Sequence, residues 1–298
     1  GDWISDVCSS DLSNELTSLW EPTLEKILEV LTAEPAIETL AEMYHSFYES
    51  VEVMGKNCLS GKQMDAFIAA AQSALEDYKE RVKERAEEAE ENNREEGEEE
   101  DDDILYAIED DQALLAEMNK AFHCIFKNHG VDFLPAWGRL SATYDAFLKS
   151  TDPTQRQWGL CIMDDVLEFC GERSWEYNAF IIDPLAAGCR DPAPANRQAA
   201  AYGVGMAAHK GGANWSGFLG AAVGLLFEMC AVPDARDEDN VFVTENACAA
   251  IAKILHYNAG QVRNPEETST RWVDTLPVVN DEEAAPYAYL YLSQLIDQ

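Results

Sequence analysis

The chain has 298 residues, 47% hydrophobic and 10% aromatic, which is enough to bury a large core. Its formal net charge of −35 sets it against nucleic acid and anionic lipid as direct partners, since both repel such a surface; a basic protein is the natural complement. No apolar run reaches the roughly eighteen residues of a membrane span, so membrane insertion is not expected.

Taken in order, Gly1 to Leu12 (GDWISDVCSSDL) differs in character from the rest of the chain. DVCSSDL reads like sequencing-adapter DNA translated in one frame, so residues 1–12 are expected to be a non-native leader and the chain a C-terminal fragment. Residues 13–298 then read as helical pairs. Leu16, Leu19, Leu24, Ile27, Leu28 and Leu31 form one amphipathic face, and Pro35 opens a second helix that carries Ile37, Leu40, Met43, Tyr44, Phe47 and Val51 to a stop at Gly55. A third helix, with Met64, Phe67, Ile68, Ala71 and Leu75, runs into a charged tail.

Glu84 to Asp111 holds 16 acidic residues in 28, against only Arg85 and Arg94. No packed core is expected there: the part to Arg94 can stay helical, and Glu95 to Asp103 reads as an acidic loop. Deleting that loop should leave the thermal transition nearly unchanged. The next helices are expected at Leu105 to Asn128, Phe133 to Lys149, Thr154 to Phe169, Trp175 to Gly188, Pro194 to His209, Trp215 to Cys230, Glu245 to Tyr257, Pro265 to Leu276 and Asp281 to Ile296. The total is twelve helices in six hairpins.

A ruler runs through these pairs. Gly130, Gly171, Gly212 and Gly260 are spaced by 41, 41 and 48 residues, Arg156 and Arg197 by 41, and Phe133, Trp175 and Trp215 follow the first three glycines at three or four positions. A period of about 40 to 47 residues with two helices per unit is that of an α-α superhelix of armadillo or HEAT type. The ruler makes Gly55 to Gly130 one repeat plus an insertion at about 84–111, and the loop Ala231 to Asn240 explains the longer interval. Pro194 to His209 is lined by Ala199, Ala200, Gly203, Gly205, Ala207 and Ala208, which give no amphipathic face, so this helix is expected to be sandwiched.

Several patterns that invite chemistry have plainer readings. GVGMAA from Gly203 lacks the third glycine and the preceding strand of a dinucleotide loop. His45, His123, His129, His209 and His256 are scattered, without metal-ligand spacing. Cys58, Cys124, Cys161, Cys170, Cys189, Cys230 and Cys248 stand singly, as small apolar fillers in a reducing compartment, and Cys8 falls in the leader. Asp164, Asp165 and Glu168 form a carboxylate cluster read as a solvated face rather than an acid–base pair. No catalytic residue, metal or cofactor is expected. A stack of hairpins gives a concave surface lined by second-layer helices, where these three carboxylates would lie within a Debye length of a bound basic segment.

Asp191-Pro192, Arg197 and Ala199 to Ala201 resemble the HEAT consensus, in which a turn aspartate and a helix arginine hydrogen-bond along the stack; Asp152-Pro153 and Arg156 match it one repeat earlier. Glu245 and Glu283 stand where that arginine would be, so the ladder is expected to break there. The tracts ANRQAAAYGVGMAA, TENACAAIAKIL and TLPVVNDEEAAPYAYLYLSQLID resemble the end of an importin-β-family nuclear transport receptor, and Asp110 to Glu117 resembles an acidic stretch of that family. The resemblance implies a nuclear import receptor found in cytoplasm, nucleus and nuclear pore. It would carry basic cargo such as ribosomal proteins and histones, bind Ran GTPase mainly through repeats upstream of this chain, take FG-nucleoporins in clefts between outer helices, and have no enzyme activity. Candidate contacts to basic partners are Glu98, Glu99, Glu100, Asp101, Asp102 and Asp103 with Asp164, Asp165 and Glu168. A HEAT scaffold for another complex and an acidic histone chaperone using Glu95 to Asp103 are the alternatives.

Overall fold

The computed structural model describes residues 3–92 and 102–297, which are helical with no strand among them, in two compact units, residues 1–140 and 141–298. The acidic residues Glu98, Glu99, Glu100 and Asp101 lie outside the described residues, as do the side chains of Asp102 and Asp103 and those of the expected leader, 1–12.

The first unit contains α1 (Trp3–Ala33), α2 (Ile37–Met54), α3 (Gly61–Asn92), α4 (Asp102–His129) and the single turn α5 (Leu134–Trp137), flanked by 3-10 turns at Gly130–Asp132 and Gly138–Leu140. It is a pair of stacked hairpins in which α1 lies beside α3 and α2 beside α4. Phe47 and Phe67 stack at 4.9 Å between ring centroids, Phe67 meets Phe122 edge-on at 5.2 Å, and Phe126 meets Phe133 at 4.9 Å. Such offset and edge-on pairs add to the large apolar area that each ring removes from water.

The acidic segment is more structured at its margins than its composition suggests. Helix α3 continues to Asn92, and α4 already begins at Asp102. Asp111, only 2% exposed, accepts from Arg81 Nη2 at 2.6 Å and from Arg85 Nη2 at 2.5 Å. Within a segment expected to hold no packed core, Arg85 and Asp111 are thus paired with each other. Two arginines satisfy one buried carboxylate, which the local excess of acid conceals.

The second unit contains α6 (Ser141–Leu148), α7 (Pro153–Cys170), α8 (Asn178–Gly188), α9 (Pro194–Lys210), α10 (Ser216–Cys230), α11 (Val241–Asn258), α12 (Pro265–Val273) and α13 (Ala285–Ile296). The expected helix from Phe133 to Lys149 is thus interrupted by 3-10 geometry, and the other expected helices are all present. Helices α7, α9, α11 and α13 lie side by side as the second layer, and α9 is held between α7 and α11. Its small residues permit this: a Cβ on Gly205 would stand 3.4 Å from Ala250 Cα of α11, and one on Gly203 would stand 2.8 Å from Leu185 Cδ2 and collide with Asp164 Oδ1 of α7.

Gly55, Gly130, Gly171 and Gly212 all have positive φ, between 52° and 77°, so the ruler marks helix ends whose backbone favours glycine. Gly260 is a different case, lying within a 3-10 turn at Ala259–Gln261 while Asn264 takes the left-handed conformation before α12. The aromatic after Gly212 is anchored by the preceding repeat: Trp215 Nε1 donates to Ser174 Oγ at 3.1 Å, and its ring meets Trp175 edge-on at 5.2 Å.

Candidate partner-binding face of the second unit

A polar ladder sets the register of the second-layer helices. Asp152 caps α7 by accepting from Thr154 N, and Asp191 accepts from Ala193 N in the turn before α9. Arg156, on α7, reaches Asp191 through Nε at 2.6 Å and Nη2 at 3.0 Å, while its Nη1 holds the carbonyls of Ser150 and Thr151. Arg197, on α9, repeats the gesture, donating from Nη1 to the Asp191 and Pro192 carbonyls and from Nη2 to Asn240 Oδ1 at 2.5 Å. Burial works against the Asp191 carboxylate, but bonds from Arg156 and Ala193 outweigh it and hold the group below the usual carboxylate range.

The ladder continues where the sequence suggests a break. Asp191 to Asn240 and Arg197 to Asn246 are both 49-residue steps, so the residue equivalent to Arg197 is Asn246 and not its neighbour Glu245. Asn246 Nδ2 donates to Asp281 Oδ2 at 2.7 Å, and Asp281 accepts from Glu283 N and Ala284 N. Glu283 is an exposed turn residue ahead of α13, not a ladder position within a helix. Glu245 is fully buried and accepts four hydrogen bonds, from Val279 N, Asn280 N, Asn280 Nδ2 and Asp281 N. Desolvation raises its pKa, but those donors prevail and hold it below its ordinary value. A carboxylate receiving a turn from the next repeat here accompanies a shortened ladder side chain.

Beside the ladder, α7, α9, α11 and the turn before α13 enclose a cavity of about 250 Å³, lined in part by Asp164, Tyr202, Lys253, Asp281 and Glu283. The reading of Asp164 and Asp165 as solvated does not hold: each is 6% exposed, and at Asp164 the reason is that α9 presents no side chain at Gly203 and closes over it. Burial, then Asp165 and Glu168, push the Asp164 carboxyl well above the usual range, and its Oδ1 has no hydrogen-bond partner. Glu168 is half-buried and accepts from Tyr202 Oη at 2.8 Å. Sequence inspection misses Lys253, which is 4% exposed, with Nζ 3.9 Å from the Tyr287 ring centroid and 5.5 Å from that of Tyr202. Desolvation lowers its pKa to about 8. Its only sequence signal is a lone lysine on an apolar helix.

Outside this region, His209 stacks on Tyr257 at 4.9 Å, His256 Nδ1 lies 2.7 Å from Gln294 Oε1, and no group of side chains among the described residues could hold a metal ion. No helix among them is long and apolar enough to cross a membrane.

Residues 39–150 match the family described as Importin repeat 6. Importin subunit beta-3 of Saccharomyces cerevisiae is 31% identical over 289 residues, which is 96% of this chain and 26% of that protein. The solved structure of Kap121p bound to RanGTP is 27% identical, with a TM-score of 0.80, over 96% of this chain and 25% of that one. Kap121p bound to Nup53p is 27% identical at a TM-score of 0.79, over 95% and 25%, and the karyopherin Kap121p bound to the SUMO protease Ulp1p is 27% identical at 0.80, over 94% and 25%. The fold is that of a HEAT-repeat solenoid, and the chain spans about a quarter of the length of the relatives it matches.

Proposed function

The chain consists of HEAT repeats of the importin-β family, and from that premise we propose that it is the portion of a nuclear import receptor that helps hold basic cargo and nucleoporins during Ran-dependent transport. The carrying observation is similarity along 96% of the chain to a protein whose solved structures include complexes with RanGTP, Nup53p and Ulp1p. The net charge of −35 suits basic partners such as ribosomal proteins and histones. On this reading the receptor moves between cytoplasm and nucleus through the nuclear pore, and the second-layer face of residues 141–298 is a cargo-side surface. The acidic residues Glu98 to Asp103 add long-range attraction.

The importin family is one of transport receptors, and we read this chain likewise as binding without catalysis; directionality comes from the nucleotide carried by Ran. The test is capture of a ribosomal protein or histone on the immobilised receptor that contains this chain, with Ran loaded with GTP or with GDP. Release by the GTP form alone is expected. Cargo that stays bound in both would sink the import reading and leave a HEAT scaffold or histone chaperone.

A further inference from the structure

We propose that Asp164 makes the joint between α7 and α9 proton-dependent: the two helices close on its neutral carboxylic acid, and the joint loosens when that acid ionises. The joint is independent of what the chain carries.

The packing leaves this carboxyl without support for a charge. Asp164 is 6% exposed and faces α9 where Gly203 has no side chain. A Cβ on Gly203 would collide with Asp164 Oδ1, so the backbone of α9 seals that oxygen, which accepts no hydrogen bond. Leu185 of α8 closes the same niche, with Cδ2 2.8 Å from where that Cβ would stand. No basic side chain pairs with Asp164 among the described residues. An ionised carboxylate there forfeits its hydration and gains neither a donor for the sealed oxygen nor a counter-charge, whereas the neutral acid forfeits far less.

The neighbouring groups act in the same direction. After burial itself, Asp165 and Glu168 on the same helix oppose a negative charge on Asp164 and keep its carboxyl well above the usual range. The other titratable groups facing it are Cys161 of α7, Cys189 after α8 and Tyr202 of α9; burial pushes all three up, so they stay neutral while the acid titrates. Lys253 of α11, Asp281 and Glu283 line the neighbouring cavity, with Lys253 Nζ placed over the Tyr287 and Tyr202 rings. Asp164 lines that cavity as well, so protons reach the carboxyl although Oδ1 is sealed. Because the folded value lies above the ordinary 3.8, the contribution of Asp164 is fully present below that pH and is lost as pH rises through the folded value. The ladder carboxylate Asp191 has the opposite sign, since its folded value is lowered and its contribution persists above the ordinary range. The joint is therefore firmest between the two folded values, and on the alkaline side it gives at Gly203 while the ladder still holds.

Infrared spectroscopy of the full chain, with its aspartates isotopically labelled, tests the protonation directly, because a protonated carboxyl shows a carbonyl stretch that ionised carboxylates lack. The band is expected in the wild type at neutral pH and not in Asp164→Asn; a wild type without it would overturn the proposal. Hydrogen exchange then reads the joint. After correction for intrinsic rates, exchange of the α9 amides from Ala199 to Ala208 should quicken in the wild type by up to about tenfold per pH unit above the folded value, the limit for one linked proton. In Asp164→Asn it should stay level. Asp165→Asn and Glu168→Gln should each move the wild-type profile to lower pH without removing it, since each deletes a charge that opposes ionisation. Parallel profiles in wild type and Asp164→Asn would sink the proposal, and so would a profile abolished by Glu168→Gln, which would put the proton on Glu168. A rise shared by the amides of α4 in the first unit would mark general unfolding and sink it too. Should Asp164→Asn fail to fold, the wild type alone decides: the infrared band must fade over the same pH range in which α9 exchange rises, and separate midpoints would refute the link.

Discussion

The two units solve the same stacking problem with different materials. In residues 3–140, neighbouring helices are wedged apart by large rings, with Phe67 touching the rings of Tyr44, Phe47, Phe122 and Phe133. In residues 141–297, α9 and α11 bring alanine and glycine to their shared face, backbones approach closely, and a polar ladder fixes the register. Rings supply area but tolerate sliding, whereas small residues bury less area and need directional bonds to prevent it. The acidic clamp of Arg81 and Arg85 on Asp111 is the first unit's isolated counterpart of the ladder.

The largest effect is expected where the first unit concentrates its area. Phe67→Ala should destabilise by about 4 kcal/mol, because the ring is fully buried and the surrounding aromatic side chains can only partly collapse. A lower urea midpoint at unchanged slope would record it, and a loss under 1 kcal/mol would mean that the ring cluster is not the first unit's main support. In the second unit, Glu245→Ala should remove about 3 kcal/mol, since the buried acceptor of four hydrogen bonds disappears and the turn at 279–281 loses its tether. Hydrogen exchange should rise first at Val279 to Asp281; unchanged protection there would disprove the tether.

Asp191→Ala should cost about 2 kcal/mol through loss of the Arg156 pair and of the bond to Ala193 N. Because the folded-state pKa of Asp191 lies below its ordinary 3.8, the wild-type advantage is present above that pH and lost as pH falls through the folded value. Wild-type and variant melting curves should therefore converge in acid, and a gap independent of pH would assign the effect to packing. The smallest effect is a gain: Lys253→Met should stabilise the chain by about 1 kcal/mol at pH 7, as the lysine is held charged in a buried site that disfavours the charge. The folded lysine releases its proton near pH 8, below its ordinary 10.5, so wild-type stability rises across that window and the advantage of methionine shrinks there. A variant less stable than wild type at pH 7 would show that the Tyr287 and Tyr202 contacts outweigh the desolvation.

Much of the fold was legible because its signals are local. Glycines that end helices with positive φ, prolines that open them and the spacing of apolar residues each act within one or two turns. Glu245 was misread for a traceable reason: the loop Ala231 to Asn240 lengthens the ladder interval to 49 residues, one more than the glycine interval, which shifts the equivalent of Arg197 onto Asn246. Asp111 was misread because its two arginine partners lie 26 and 30 residues earlier, across the acidic stretch.

The sequence by itself determined the all-helical class, the pairing of helices and the ruler, since these follow from backbone preference and periodicity. Tertiary structure alone decided which carboxylates are exposed. Asp164 and Asp165 occupy the cluster that reads as solvated, yet both are buried, and α9, bare at Gly203, closes over Asp164. Burial depends on which side chain is missing from the neighbouring helix, 39 residues away in sequence from Asp164, and no local pattern carries that information.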